Sequence, residues 1–134
     1  MQLTNDMKRP LVLVYATALL VGLSYGMHNP IVPVFAKEAI GASYFELGVF
    51  GLMNFLPYMF IPLVVGILLD RFNNGLLLSA GIAINTASIY LLSISQSVPE
   101  VAAFRAMTGL AHAFFWPPCE RIIAHVETPE RRVK

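Results

Sequence analysis

A short charged turn joins two long apolar stretches, and this arrangement restricts the possible folds more than any other feature of the chain. The first stretch closes with GILLDR at residues 66–71, and the second begins directly after FNNG at residues 72–75. A globular core does not need apolar runs of this length around so short a charged turn. A chain that crosses a bilayer repeatedly needs such a turn at each surface. The pattern therefore predicts membrane-spanning helices.

The composition indicates that lipid is the main solvent of this chain. Of its 134 residues, 57% are apolar and 13% are charged, against roughly 45–50% and about 25% in ordinary soluble domains. The formal net charge is +1 and no basic stripe is interleaved with aromatics, which argues against a nucleic-acid partner. The single cysteine, Cys119, excludes an internal disulfide. We expect no metal site and no cofactor.

Four segments are long enough to cross a bilayer as helices. They cover roughly residues 10–33, 44–69, 76–94 and 98–124, each near or above the roughly 20 residues that span the hydrocarbon layer. The sequence therefore predicts an all-α membrane protein with about four transmembrane helices in a single membrane domain over residues 1–134.

Two helix starts carry the same capping signal. Ser43 is followed three residues later by Glu46, and Ser97 is followed by Glu100 at the same spacing. In a capping box the serine hydroxyl accepts from the third helical amide, and the glutamate side chain accepts from the serine amide. The pattern predicts that the second and fourth segments enter the membrane from the same side.

The basic residues predict the orientation. Lys37 alone falls in a loop on the opposite side from the others, and Arg105 falls inside the fourth segment. The remaining basic residues lie on one side if the segments alternate: Lys8, Arg9, Arg71, Arg121, Arg131, Arg132 and Lys134. Cytoplasmic loops carry an excess of lysine and arginine. We therefore expect an integral protein of the plasma membrane with both termini in the cytoplasm.

Several motifs follow one another in a recognisable order. G-x-L-x-D-R occupies residues 66–71, P-x-x-P ends the first segment at residues 30–33, R-x-x-x-G lies at residues 105–109, and PERR follows at residues 129–132. Together they resemble the first four helices of the major facilitator superfamily, a large family of secondary transporters. The resemblance implies the amino-terminal portion of a transporter of small solutes that works by alternating access. It also implies a truncated half that is not competent alone.

The resemblance also implies a gating role for the loop motif. In the family, the loop aspartate contacts the other half of the transporter and stabilises the outward-facing state, and this role falls on Asp70. The loop also pairs with an acid near the end of the fourth helix, for which Glu120 is the candidate. The usual basic residue is replaced here by asparagine, so Arg71 or Arg121 is the candidate partner of that acid. Gly66 would allow close helix approach. The alternative is a hydrated Asp70 and Arg71 pair that only sets topology.

One face of the fourth segment is unusually polar for lipid. Arg105, Thr108, His112 and Trp116 recur at helical spacing. Ionisable residues within spans usually face a cavity or a partner, so Arg105, Thr108 and His112 are candidates to line a substrate cavity, with Asn54 from the second segment. The alternatives are snorkelling of Arg105 to the surface, an interhelical hydrogen bond by His112, and polar side chains that only join helices.

Small residues predict close helix packing. Gly22 and Gly26 have the G-x-x-x-G spacing that lets two helix backbones approach each other. We assign the same packing role to Gly109.

Two other functions remain open. The chain could be a self-contained four-helix transporter acting as a homodimer, or a membrane protein that acts only by helix association. It lacks a nucleophile and base pair, a phosphate loop and a metal cluster, so we do not expect an enzyme. No carboxylate lies deep in any segment, so the sequence shows no carboxylate proton carrier. The expected partners are the lipid bilayer, a small-molecule substrate, and either a complementary chain that supplies missing helices or a second copy of this chain.

Overall fold

The described part of the protein forms four helices joined by short turns. The computed structural model describes residues 5–126, in which α1 covers Asn5–Glu38, α2 covers Tyr44–Leu69, α3 covers Asn74–Ser93 and α4 covers Val98–Val126. The prediction of an all-α chain is confirmed. The charged stretch predicted after the fourth helix, with its basic residues, lies outside the described residues.

The first helix is longer than the sequence pattern predicts. It continues beyond residue 33 to Glu38, so Lys37 belongs to the last turn of α1 and not to a loop. The Lys37 ammonium donates to the carbonyl of Ala42 at 3.1 Å and lies 4.5 Å from the centroid of the Tyr44 ring. Gly41 has a φ of 76°, a conformation that glycine adopts without steric cost. The chain therefore reverses into α2 at this residue.

The two predicted helix caps behave differently. At the start of α2 the capping box is present: the Ser43 amide donates to Glu46 at 2.6 Å, and the Glu46 amide donates to the Ser43 hydroxyl at 3.3 Å. At the start of α4, the Glu100 carboxylate accepts from the amide of Gln96 at 2.7 Å and not from that of Ser97. The prediction of a second capping box was wrong, because this carboxylate reaches one residue further back along the chain.

Helix α4 lies between the other helices and packs most extensively against α2 and α3, with a smaller contact to α1. By length and composition, three helices in the described part of the chain could cross a membrane: Leu11–Glu38, Tyr44–Leu69 and Asn74–Ser93. Helix α4 is long enough to cross a membrane but is more polar than these three helices. Many of its side chains face other helices and not lipid, so its composition is under less pressure to be uniformly apolar.

Two glycines allow α4 to approach its neighbours closely. A side-chain carbon at Gly109 would overlap the backbone carbonyl of Asn54 in α2, and one at Gly81 in α3 would lie 2.9 Å from the backbone nitrogen of Phe115 in α4. The packing role predicted for Gly109 is therefore seen at the contact of α2 with α4.

The other predicted packing glycines are not covered by a neighbouring helix. Around Gly22, Gly26 and Gly66, nothing in the described chain lies within 4 Å of an added side-chain carbon. The close contacts expected there are not made within residues 5–126, because the faces of α1 and α2 that carry these glycines are not the faces that meet other described helices.

Candidate functional site

Three helices bring polar side chains together at one level of the bundle. We call this set the polar cluster: Tyr25, His28 and Asn29 from α1, Asn54 from α2, and Arg105, Thr108 and His112 from α4. It lies between buried apolar groups. Towards one end of the bundle are Val32, Phe50 and Val101, and towards the other are Val21 and Phe115. The cluster therefore occupies the middle of the bundle and not its surface.

A hydrogen-bonded link joins α2 to α4 inside the polar cluster. The Asn54 amide group donates to the Thr108 hydroxyl at 2.7 Å and to the carbonyl of Arg105 at 3.3 Å. The Thr108 hydroxyl in turn donates to the carbonyl of Arg105 at 2.7 Å. The Tyr25 hydroxyl adds a longer contact of 3.5 Å to the Asn54 side-chain oxygen. Asn54 and Thr108 thus position α4 against α2 and have few groups left for a ligand.

Arg105 is buried between helices and does not extend to the surface. Only 5% of the residue is exposed, and its Nη2 atom donates to the Asn29 side-chain oxygen of α1 at 2.8 Å. Its Nη1 atom is also buried but has no hydrogen-bond partner among the described residues. The guanidinium is thus held in place from one side and has an unused donor on the other.

His112 lies against two tyrosine rings. Its imidazole is 4.5 Å from the Tyr25 ring and 6.5 Å from the Tyr58 ring, measured between centroids, and both contacts are edge-on. Its Nδ1 atom is 2.7 Å from the carbonyl of Thr108. Its Nε2 atom is buried, and no described residue forms a hydrogen bond with it. His112 is therefore fixed in orientation by its own helix and has one ring nitrogen unused.

A cavity of about 230 Å³ opens beside the polar cluster. Its walls are mostly aromatic, with His112 and Asn54 as polar groups, and its lining residues are Val21, Gly22, Tyr25, Asn54, Phe55, Tyr58, His112 and Trp116. Such a lining, apolar with a few oriented polar groups, is typical of small-molecule sites. Gly22, predicted to pack against a helix, forms part of this wall.

The loop motif forms an ion pair with the end of α4. A side-chain nitrogen of Arg121 lies 3.2 Å from a carboxylate oxygen of Asp70. The expected pairing of a basic residue with Glu120 is not what the structure shows, because Arg121 turns towards the α2–α3 turn. Glu120 and Arg71 are exposed, and neither forms an ion pair with another described residue. The α2–α3 turn is therefore tied to α4 through Asp70.

The sequence pattern predicted only part of this site. Arg105, Thr108 and His112 share the predicted face of α4, and Asn54 meets that face from α2. The pattern did not single out Tyr25, which contacts both imidazoles of the cluster. Its spacing of three residues from His28 was a signal that could have identified it.

Comparison with known proteins identifies the class of this chain. A sequence model of the Major Facilitator Superfamily matches residues 14–134. The protein therefore belongs to the Major Facilitator Superfamily, a family of membrane transporters, and it is an integral membrane protein.

Curated relatives of the chain include proteins named for transport. An uncharacterized MFS-type transporter of Mycobacterium tuberculosis is 33% identical over 116 residues, covering 85% of this chain and 27% of that relative. A protein of Chlamydia muridarum named "Probable hexose phosphate transport protein" is 28% identical over 80 residues, covering 60% and 18%. The quinolone resistance protein NorA of Staphylococcus aureus is 22% identical over 128 residues, covering 96% and 33%.

This chain is thus much shorter than the relatives it matches. It spans between 18% and 33% of the length of these three proteins. No solved structure matches it.

Proposed function

We propose that this chain is the amino-terminal part of a secondary active transporter that moves small solutes by alternating access. The observation that carries the proposal is the polar cluster, which lies between α1, α2 and α4 beside an aromatic cavity in a chain of this family. Buried polar and ionisable groups within membrane helices commonly mark a substrate path. The cluster supplies one wall of that path.

The surface of the chain supports the idea that further helices complete the site. An apolar groove between α2 and α4, about 660 Å³ in volume, is lined by Met53, Leu56, Pro57, Phe60, Ile61, Ala106, Met107 and Leu110. Transporters of this fold place the substrate between two bundles that rock about it. We infer that helices supplied by the same polypeptide or by a complementary one cover this groove, and that the 134-residue chain does not transport alone.

The names of the relatives suggest two kinds of cargo. One relative is named for hexose phosphate transport and another for quinolone resistance. We propose that the solute carried here is a small organic molecule of comparable size, for which the cavity of about 230 Å³ provides part of the binding volume. The proposal assigns no catalytic reaction to the chain.

Reconstitution tests the transport proposal directly. Liposomes containing the chain alone should show no gradient-driven uptake from a broad solute panel under proton or sodium gradients. Liposomes in which the chain is extended or complemented by the remaining helices of a family member should show it. The matched control is the same complemented protein with Arg105→Ala, which should lose uptake because the cluster loses its cation. Reproducible, Arg105-dependent uptake by the chain alone would contradict the proposal and favour a homodimeric small transporter.

We also propose that both termini are cytoplasmic in the plasma membrane, on the basis of the basic residues. A cysteine introduced at Gln96, between α3 and α4, should react with a membrane-impermeant maleimide in intact cells. One introduced at Asn73, in the α2–α3 turn, should react only after permeabilisation. Both variants would be built in a Cys119→Ser background, since Cys119 is the single native cysteine. The opposite labelling pattern would reverse the orientation.

A further inference from the structure

The walls of the cavity beside the polar cluster carry large aromatic side chains from three helices. These are Tyr25 from α1, Phe55 and Tyr58 from α2, and Trp116 from α4. Both tyrosine rings also lie edge-on to the imidazole of His112, which lines the same cavity. No lysine, arginine, aspartate or glutamate is among the described residues that line it. The cavity is therefore aromatic and carries no permanent charge on its walls.

Gly22 leaves one part of the cavity wall without a side chain. It lines the cavity from α1, and nothing in the described chain lies within 4 Å of a carbon added there. Glycine weakens a helix interior relative to alanine, and no packed neighbour among the described residues requires it at this position. What Gly22 provides is bare backbone facing the cavity, which leaves more room for a ligand than any other residue would.

Few polar atoms of the wall are left to bind a strongly hydrated solute. The Asn54 amide group donates to the Thr108 hydroxyl and to the carbonyl of Arg105. The Nδ1 atom of His112 is 2.7 Å from the carbonyl of Thr108, and its Nε2 atom is buried. The other polar wall groups are the tyrosine hydroxyls and the indole N–H of Trp116. A polyol would give up more hydrogen bonds to water than these groups replace, and such a loss is costly.

The volume of the cavity fits a small ring system. An apolar cavity of about 150 Å³ accommodates a benzene molecule, and this cavity measures about 230 Å³. Aromatic rings pack favourably against other aromatic rings in edge-on or offset arrangements. We propose that the cavity binds an uncharged, planar aromatic compound of bicyclic size, which lies against the α1 backbone at Gly22 and contacts the aromatic walls. The inference rests on the proposed transport function and names the substrate class of that site.

Two other kinds of occupant fit the cavity less well. An organic cation is attracted by aromatic faces, but no described carboxylate lines the cavity to balance a charge removed from water. A lipid acyl chain or a saturated ring system matches the apolar surface but lacks the favourable contacts between rings. Both compete with an aromatic compound for the same space, so a competition experiment distinguishes them.

Binding can be measured on the chain itself because Trp116, its single tryptophan, lines the cavity. The chain in phosphatidylcholine nanodiscs would be titrated with coumarin, an uncharged planar bicyclic compound whose contact with the indole should quench its fluorescence. We expect saturable quenching with a dissociation constant on the order of 1 mM.

Competitors that do not quench the indole test the chemical class. Octahydrocoumarin, the saturated counterpart of coumarin, should displace coumarin with an affinity at least about threefold weaker than that of coumarin itself. Tetraethylammonium and glucose should each bind at least about tenfold more weakly than coumarin, because the cavity offers neither a countercharge nor enough hydrogen-bonding groups.

Paired variants test the two parts of the wall. Gly22→Leu places a side chain in the cavity without a clash at its first carbon, so coumarin should bind at least about tenfold more weakly. The matched control is Gly26→Leu, also on α1, where an added carbon meets nothing and which does not line the cavity. Phe55→Leu keeps the wall apolar but removes a ring, so the preference for coumarin over octahydrocoumarin should fall. Its control is Phe45→Leu, an exposed position of α2 outside the cavity. Both controls should bind as the native chain does.

Several results would overturn the inference. Quenching that does not saturate, or equal affinities of coumarin and octahydrocoumarin, would remove the aromatic preference. Tighter binding of tetraethylammonium than of coumarin would assign the cavity to organic cations. Native affinity in Gly22→Leu would show that coumarin binds elsewhere.

Nanodiscs with brominated acyl chains test for a lipid occupant. Bromine quenches indole fluorescence on contact, so stronger quenching of Trp116 in the native chain than in Gly22→Leu would place an acyl chain in the cavity and overturn the substrate role. Equal quenching supports a cavity that is open to a solute. Because binding is measured without transport, failure of uptake in liposomes leaves this result intact. Uptake by the complemented protein without coumarin binding would contradict only the substrate class.

Discussion

Replacement of Gly109 by alanine should destabilise the folded chain by about 1–3 kcal/mol, the usual cost of forcing extra volume into a well-packed interior. The added side-chain carbon would overlap the backbone carbonyl of Asn54. A backbone atom cannot move aside as the end of a flexible side chain can. Helix α4 must therefore shift away from α2, which also strains the hydrogen bond between Asn54 and Thr108, 2.7 Å in the native chain.

The matched control is Gly48→Ala on α2. Gly48 is exposed, and nothing lies within 4 Å of a carbon added there. The free energy of unfolding would be measured by titration from mild detergent into sodium dodecyl sulfate, followed by circular dichroism. Gly48→Ala should leave the transition midpoint near the native value, whereas Gly109→Ala should lower it. Equal midpoints for the two variants would show that the close contact of α2 with α4 does not form in the membrane.

Substitution of Asp70 by asparagine should change transport by the complemented protein without preventing membrane insertion. Asp70 pairs with Arg121 at 3.2 Å, and the two side chains are 77% and 33% exposed. A pair of such exposure is worth up to about 1 kcal/mol, so its loss should shift the balance between two transporter states by up to roughly fivefold. Asp70→Glu keeps the charge and should have a smaller effect.

Exchanging the two charges tests whether the ion pair between Asp70 and Arg121 itself affects transport. The single variants Asp70→Arg and Arg121→Asp each place like charges together, so both should slow uptake, and the double variant should recover at least part of the native rate. Glu120→Gln removes a neighbouring exposed carboxylate that pairs with no described residue, so it should alter uptake less than Asp70→Asn does. If Asp70→Asn transports at the native rate, the loop motif at residues 66–71 only sets the membrane topology of the chain.

Local features of this chain could be predicted because their causes lie within a few residues. Apolar segments of spanning length forecast the helices, and the bounds of α2 agree with the forecast. Ser43 and Glu46 are three residues apart, so their reciprocal hydrogen bonds follow from helix geometry alone. The same reasoning erred at Ser97, where a longer reach by Glu100 was geometrically open as well.

Contacts between helices could not be predicted in this way. Gly22, Gly26 and Gly109 carry the same small-residue signal, yet only Gly109 meets another backbone in the described chain. The reason is that spacing along one helix states which residues share a face, but not which face meets a neighbour. The orientation of each helix about its own axis depends on all the others at once.

The same distinction between local and tertiary information applies to the candidate site. The sequence by itself determined that Arg105, Thr108 and His112 share one face of α4, because helical periodicity is a local property. Only the tertiary structure decided that this face turns inward to Asn29 and Asn54 and that the Arg105 side chain stays buried. Snorkelling and burial are both available to an arginine so near a helix start. What decides between them is whether a partner on another helix lies within hydrogen-bonding distance. The amino-acid sequence of one helix does not contain that information.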